Sequence, residues 1–165
     1  MSSLPPAGPD HFFGELRVQT WRPFTYFYVG DSAPLADLDP LLDRLMAQLG
    51  AACDAAAVRP LGPVVLRYGA QPERGADVWW LQAGCPVAPG TGASHGAAVC
   101  DLPAFHCAGM LYWGSLAHMG ELHSRLTEGL RAQGLRAAAE GREWYLYFEG
   151  DASPNNVIML QRGLA

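Results

Sequence analysis

The sequence predicts an α+β fold made of two strand–helix–strand–strand units related by a pseudo-two-fold axis. Three observations carry this expectation. Two apolar stripes of helical spacing recur half a chain apart: Leu35, Leu38, Leu42, Leu45, Met46 and Leu49, then Leu116, Met119, Leu122, Leu126 and Leu130. Each stripe follows a run rich in aromatic and β-branched residues and precedes two more such runs. A glycine closes each stripe, Gly50 and Gly134.

In chain order, residues 17–29 read as one strand or two, with Pro23 at an edge or bend. Gly30-Asp31-Ser32 is a turn whose Asp31 or Ser32 can cap the first helix. That helix is expected to stop at Gly50 or slightly beyond. Gly62-Pro63 precedes a strand over 64–69, QPERGAD forms a polar hairpin loop, and 78–84 is the returning strand. PVAPGTGASHGA is a low-complexity connection. AFHCAGMLYWG then starts the second unit, followed by the second helix, a strand over 143–148, a loop over 150–156 and a last strand over 157–161. The domain organisation expected is a loose tail over residues 1–15 and one domain over 16–165. Within it, repeat one covers about 16–88, a linker about 89–98, and repeat two about 99–165.

The two units superpose at an offset of 84 up to the end of the helix (112 − 28). Tyr28 then falls on Tyr112, Gly30 on Gly114, Leu42 on Leu126 and Gly50 on Gly134. Past the helix the offset becomes about 79, placing Val64, Leu66 and Tyr68 on Glu143, Tyr145 and Tyr147 (143 − 64). Each unit has one helix, which covers one face of its sheet. The opposite faces, left bare, are expected to join into a ligand groove between the halves.

The stretch REWYLYFEGD, Arg142–Asp151, bears on that groove. Strand alternation puts Trp144, Leu146 and Phe148 on the core face. Glu143, Tyr145, Tyr147 and Glu149 take the other face, which predicts a groove lined with rings and an acid. A carboxylate in a partly dry aromatic groove is costly unless it is paired. A lipophilic cation supplies that pairing, and flat rings add cation–π attraction and stacking. The competing reading makes Glu143 a solvated acid paired with Arg142 or Arg67. Tyr28 and Tyr112 are expected as groove walls, against the reading of two half-buried structural tyrosines. Of Trp79 and Trp80, one faces each side of its strand, and Trp80 is preferred for the groove. Glu149 lies roughly 20 Å from Glu143 at strand rise, so the two acids do not form a glycosidase pair.

Composition excludes several classes. The net charge is −5, and the eleven basic residues, all Arg, are dispersed without a nucleic-acid footprint. No apolar run is long enough to span a bilayer, and the N-terminal residues lack the pattern of a secretion signal. Four cysteines without a CxxC pair favour free thiols in a reducing cytoplasm. GASHG, residues 92–96, has the nucleophile-elbow spacing around Ser94 but sits in a Pro/Gly linker, not between strand and helix. His118 and His123 are five apart on a helix and do not share a face as metal ligands would, and His95 and His106 have no ligating neighbour at useful spacing. Neither a metal nor a cofactor is expected.

From GREWYL and the upstream LPAFHCAGMLYWGSLAHMGELHSRLTEGLRAQGL, the chain resembles the GyrI-like small-molecule-binding domains, which also form effector-binding regions of multidrug-responsive transcription activators. The resemblance covers roughly residues 21–164 and is clearest after Leu102. It implies a duplicated strand–helix–strand–strand fold with a ligand groove between halves. It also implies binding of bulky, flat, often cationic aromatic compounds, with a groove acid at Glu143. Some stand-alone members are reported to hydrolyse cyclopropane-bearing genotoxins, so the resemblance also implies a hydrolase alternative, with Glu143 as the catalytic group. A weaker alternative is a protein-binding inhibitor module. The family's usual His-x-Gly-x-Tyr turn reads Tyr112-Trp113-Gly114-Ser115-Leu116 here, which alters the aromatic contact at that point. With no room seen for a helix-turn-helix, a stand-alone binder, sensor or sequestering module is expected.

Overall fold

The computed structural model describes residues 10–165. Among these residues, nine strands form one sheet, with two α-helices packed on it. The strands are β1 (Phe12–Phe13), β2 (Arg17–Trp21), β3 (Phe24–Pro34), β4 (Val65–Ala70), β5 (Val78–Val87), β6 (Ala98–Leu102), β7 (Phe105–Trp113), β8 (Ala137–Tyr147) and β9 (Val157–Leu164). The helices are α1 (Leu38–Ala56) and α2 (Met119–Ala132), each entered through a short 3-10 turn. The tail expected over 1–15 lies outside the described residues up to position 9; beyond it, Phe12 and Phe13 pair with Trp113 and Tyr112.

All pairings are antiparallel, and the main path runs β7-β9-β8-β4-β5-β3, with the β4–β8 contact at its centre. The reading of 17–29 as two strands is the correct alternative, broken at Arg22-Pro23. β6 is a strand of its own that the sequence reading left unassigned. β2 pairs with β7 and β3 with β6 on one continuous register, Arg17 opposite Gly109 and Phe24 opposite Leu102. Each unit therefore lends a strand to the other, and the two ends of the sheet are drawn together. Trp21 and Phe24 consequently reach the ring of Trp144 on the central strand, at 4.6 and 5.3 Å.

The duplication is real, but its phase differs from the sequence reading. The 3-10 turns and helices superpose at an offset of 81, Leu35 on Leu116 and Leu38 on Met119 (116 − 35, 119 − 38). The buried helix positions agree: Leu41, Leu45 and Leu49 match Leu122, Leu126 and Leu130. Strand register extends the match. Phe27 lies opposite Cys85 and its counterpart Ala108 opposite Arg162, while Ala83 lies opposite Leu66 and its counterpart Leu160 opposite Glu143. The outer strand thus repeats at 81 and the next two at 77 (162 − 85, 143 − 66). The glycine match misled because α1 does not end at Gly50. It runs on to Ala56 and stops where Ala57 takes a left-handed conformation, φ 51°. Only Gly134, φ 65°, is a true helix stop.

Two cores lie under the helices. α1 covers Phe27, Val29, Leu81 and Ala83, and α2 covers Ala108, Met110, Tyr112, Ile158 and Leu160. The opposite face of the sheet is filled as well, by Tyr26, Val65, Leu102 and Trp144 with Trp21, Phe24 and Tyr28 against them. Beside this cluster, Glu140 bridges the guanidinium groups of Arg67 and Arg142, which stand opposite each other on β4 and β8. The bare sheet face expected as the groove is therefore a third core, closed by the strand exchange.

Candidate functional site: a groove between the two helices

The groove lies on the helix side. Where β4 and β8 meet, neither helix covers the sheet, and a hollow of about 670 Å³ remains. That is within the range of ligand pockets, roughly 300–1,000 Å³. Its walls are related by the two-fold: Leu35, Leu38 and Leu42 from the first unit, Leu116, Met119 and His123 from the second. Its floor is Leu66 and Tyr68 of β4 beside Glu143 and Tyr145 of β8. Trp79, Leu81, Asp39, Asp43, Asp151 and Arg162 complete the lining.

Glu143 is the centre of the site. It is paired directly across the ladder with Leu66 and is 8% exposed. The Tyr68 hydroxyl donates to its Oε1 at 3.2 Å and the Tyr145 hydroxyl to its Oε2 at 3.1 Å. His123 Nε2 lies 3.1 Å from Oε1; since a carboxylate only accepts, that nitrogen carries the hydrogen. Burial, and then the adjacent Glu143 charge, push both phenols well above the ordinary tyrosine range, so they remain protonated donors. Gly141 makes room for this arrangement: a side chain there would meet the Tyr68 ring at 2.6 Å. The loop after β8 is held by Asn156, which accepts from the Glu149 amide and donates to the Gly150 carbonyl. Asp151 is thereby set at the groove rim, its carbonyl accepting from the Leu116 amide at 2.8 Å.

The structure separates the expected residues. Glu143 and Tyr145 lie in the groove. Tyr147 does not: a β-bulge between Tyr145 and Tyr147 breaks the alternation, and Tyr147 is 52% exposed with its hydroxyl on Glu149. The same bulge leaves Leu146 and Phe148 exposed, so only Trp144 of that trio is core. Tyr112 is fully buried under α2, behind the groove wall. Tyr28 is on the opposite face, stacked on Tyr26 at 5.1 Å. Tyr28 and Tyr112 lie on different faces because offsets of 84 and 81 differ by an odd number, and an odd slip in a strand exchanges its faces. Trp80 also faces away, where Arg67 lies over its ring at 5.5 Å, and Trp79 is the groove tryptophan. The arginines proposed to pair with Glu143 pair with Glu140 instead. His123, which the sequence offers only as a candidate metal ligand, takes its groove position from its match to Leu42 at the offset of 81 (123 − 42). Ser94 sits in the loop before β6, bridged to Ala97, with no helix after it.

No family model and no curated protein sequence matches the chain. Solved structures do. The EcmrR C-terminal domain aligns over 92% of this chain and 97% of its own at TM-score 0.68 and 10% identity. SAV2435, solved bound to tetraphenylphosphonium, aligns over 92% and 94% at TM-score 0.69 and 8% identity. A hydrolase from Listeria innocua aligns over 92% of each chain at TM-score 0.60 and 10% identity. At such identities the likeness is one of fold. The class defined is one of fold, that of the GyrI-like domains, a mixed α+β domain of two joined halves. All four cysteines are free, and among the described residues no helix is long and apolar enough to cross a membrane.

Proposed function

We propose that this protein is a stand-alone binder of bulky hydrophobic, cationic aromatic small molecules, acting as a sequestering or sensing module. The observation that carries this reading is Glu143, a carboxylate held by two phenols on the floor of an apolar-walled groove, with no guanidinium bonded to it. A lipophilic cation entering between α1 and α2 would place its charge against Glu143. Its rings would lie against Tyr68, Tyr145 and Trp79, and its apolar bulk against the leucines of the walls. The rim acids Asp39, Asp43 and Asp151 favour the approach of such a cation. SAV2435, with its bound tetraphenylphosphonium, supports this ligand class.

The test is a binding titration with tetraphenylphosphonium and with a neutral compound of matching shape. Glu143→Gln is expected to weaken the cation by about tenfold or more, about 1.4 kcal/mol, through the lost charge attraction alone, and to leave the neutral compound nearly unchanged. Equal losses for both would remove the charge-pairing role.

A second reading is favoured by one contact. His123 and Glu143 bring an imidazole and a carboxylate within 3.1 Å of each other in the groove, and together they could orient a water for hydrolysis of an electrophilic aromatic compound. The Listeria innocua neighbour, described as a hydrolase, points the same way. Mass spectrometry after incubation with a cyclopropane-bearing alkylating compound separates the readings. The binder returns it unchanged, whereas turnover lost in Glu143→Gln with binding retained would establish the enzyme.

A further inference from the structure

We propose that Asp10, His11 and His118 form a binding site for one divalent transition-metal ion of the zinc class, outside the lining of the groove that holds Glu143. The fold brings together residues more than a hundred positions apart in the chain. One ligand atom from each of the three side chains lies within 4.8 Å of the other two. His11 Nδ1 is 2.9 Å from Asp10 Oδ1, and the two imidazoles stack with centroids 3.9 Å apart and planes at 22°.

The position of His11 is built, not incidental. β1 holds it through the pairing of Phe12 with Trp113 and Phe13 with Tyr112. Phe13 is in turn packed on Tyr112, with the Arg125 guanidinium 4.2 Å over its ring. Gly114, at φ 144°, leaves the notch that His11 occupies: a side chain there would meet His11 Cβ at 2.7 Å. On the other side, His118 closes the 3-10 turn and is the residue immediately before α2. Both rings are partly buried and Asp10 is exposed, so an ion has an open approach.

Two imidazole nitrogens and one carboxylate oxygen are a borderline donor set. It suits zinc, nickel, cobalt or copper and not magnesium or calcium, which require oxygen ligands. Three protein ligands leave a remaining position to water. An imidazole lone pair lies in the ring plane, so each ring turns out of the stack as the ion enters. Occupancy would tie β1 to the turn that carries Leu116 and Met119 of the groove wall.

The experiment is calorimetric titration of tag-free, chelator-treated full-length chain with zinc, with magnesium as contrast. One zinc per chain and no magnesium response are expected. Loss of a ligand should cost at least the roughly 10–100-fold that outer-shell partners cost, so His11→Ala and His118→Ala should each weaken zinc by that factor or more. His106→Ala, an exposed histidine elsewhere, should leave zinc binding unchanged. Cobalt should give a visible ligand-field band that both variants lose. If a histidine variant fails to fold by circular dichroism, Asp10→Asn at an exposed position serves in its place. Zinc binding undiminished when His11→Ala and His118→Ala are combined, or absent from the folded wild type, would overturn the proposal.

Discussion

The two halves of this molecule share a frame and differ in charge. At the two-fold axis Leu66 of the first unit faces Glu143 of the second. On the helices Leu42 of the first corresponds to His123 of the second (123 − 42), and both line the groove. Between these pairs, Tyr68 and Tyr145 are matched and both donate to the same carboxylate. The symmetric positions thus provide walls and hydrogen bonds, while the acid and the imidazole come from one half only. A duplicated unit can make a groove at its joint without any dedicated element. Making that groove selective then takes substitutions at a few positions close to the axis, where one side chain is reached from both halves.

The largest expected effects concern the shared frame. Leu45 and Leu126 are matched core positions, 1% and 4% exposed. Each changed to Ala should destabilise the fold by about 2–5 kcal/mol, measured by denaturant unfolding. Leu42, half-buried in the groove wall, should cost clearly less. This trio discriminates the two alignments. Under the offset of 84, Leu42 would pair with Leu126 and behave like it; under 81, Leu45 does. A Leu42→Ala loss as large as that of Leu126→Ala would break the match of the two halves at the offset of 81.

Next comes the charge at the axis. Glu143→Leu should abolish the preference for a cation over its neutral counterpart. Adding Leu66→Glu to that variant moves the acid to the two-fold-related position, still between Tyr68 and Tyr145. Cation affinity should then return to within about tenfold of the wild type, or about 1.4 kcal/mol. Leu66→Glu alone sets two carboxylates directly opposite on neighbouring strands and should destabilise the protein, since like charges so placed repel. A folded exchange variant that fails to recover binding would show that the groove depends on the half it comes from, His123 being the first candidate for the reason.

Much of this frame was legible in the sequence, because helix stripes and strand runs are local signals of fixed period. The duplication, the α+β class and the pairing of Glu143 with Tyr145 all follow from such periods. What was not legible is where odd and even slips enter. A helix that ignores Gly50 shifts the alignment by three, which sends Tyr28 to the wrong face. A bulge after Tyr145 removes Tyr147 from the groove. The groove itself was placed on the wrong side of the sheet for a different reason. The exchange of β2 and β6 between units fills the face opposite the helices, and pairings between residues so distant in sequence leave no periodic trace. The Asp10–His11–His118 cluster was invisible for the same reason, since spacing along the chain reports only neighbours on one element.

The smallest expected effect concerns the second asymmetric position. His123 has a side chain 45% exposed, and its ring nitrogen occupies Oε1 of Glu143, an oxygen that a bound cation would approach. Replacing it by Leu gives the second helix the residue its counterpart has at position 42, so the groove walls become alike. Tyr68 and Tyr145 still donate to the carboxylate, so no buried acceptor is left unpaired and thermal stability should be nearly unchanged. Binding should respond in the opposite direction to the Glu143 variants. With the competing donor gone and the wall more apolar, tetraphenylphosphonium should bind modestly tighter in a fluorescence titration. If His123 instead positions a water for chemistry, the same variant would bind as well as or better than the wild type while losing any turnover. A weaker cation affinity in a stably folded His123→Leu protein would mean that the imidazole holds Glu143 in place, and the asymmetry would then be a matter of orientation, not competition.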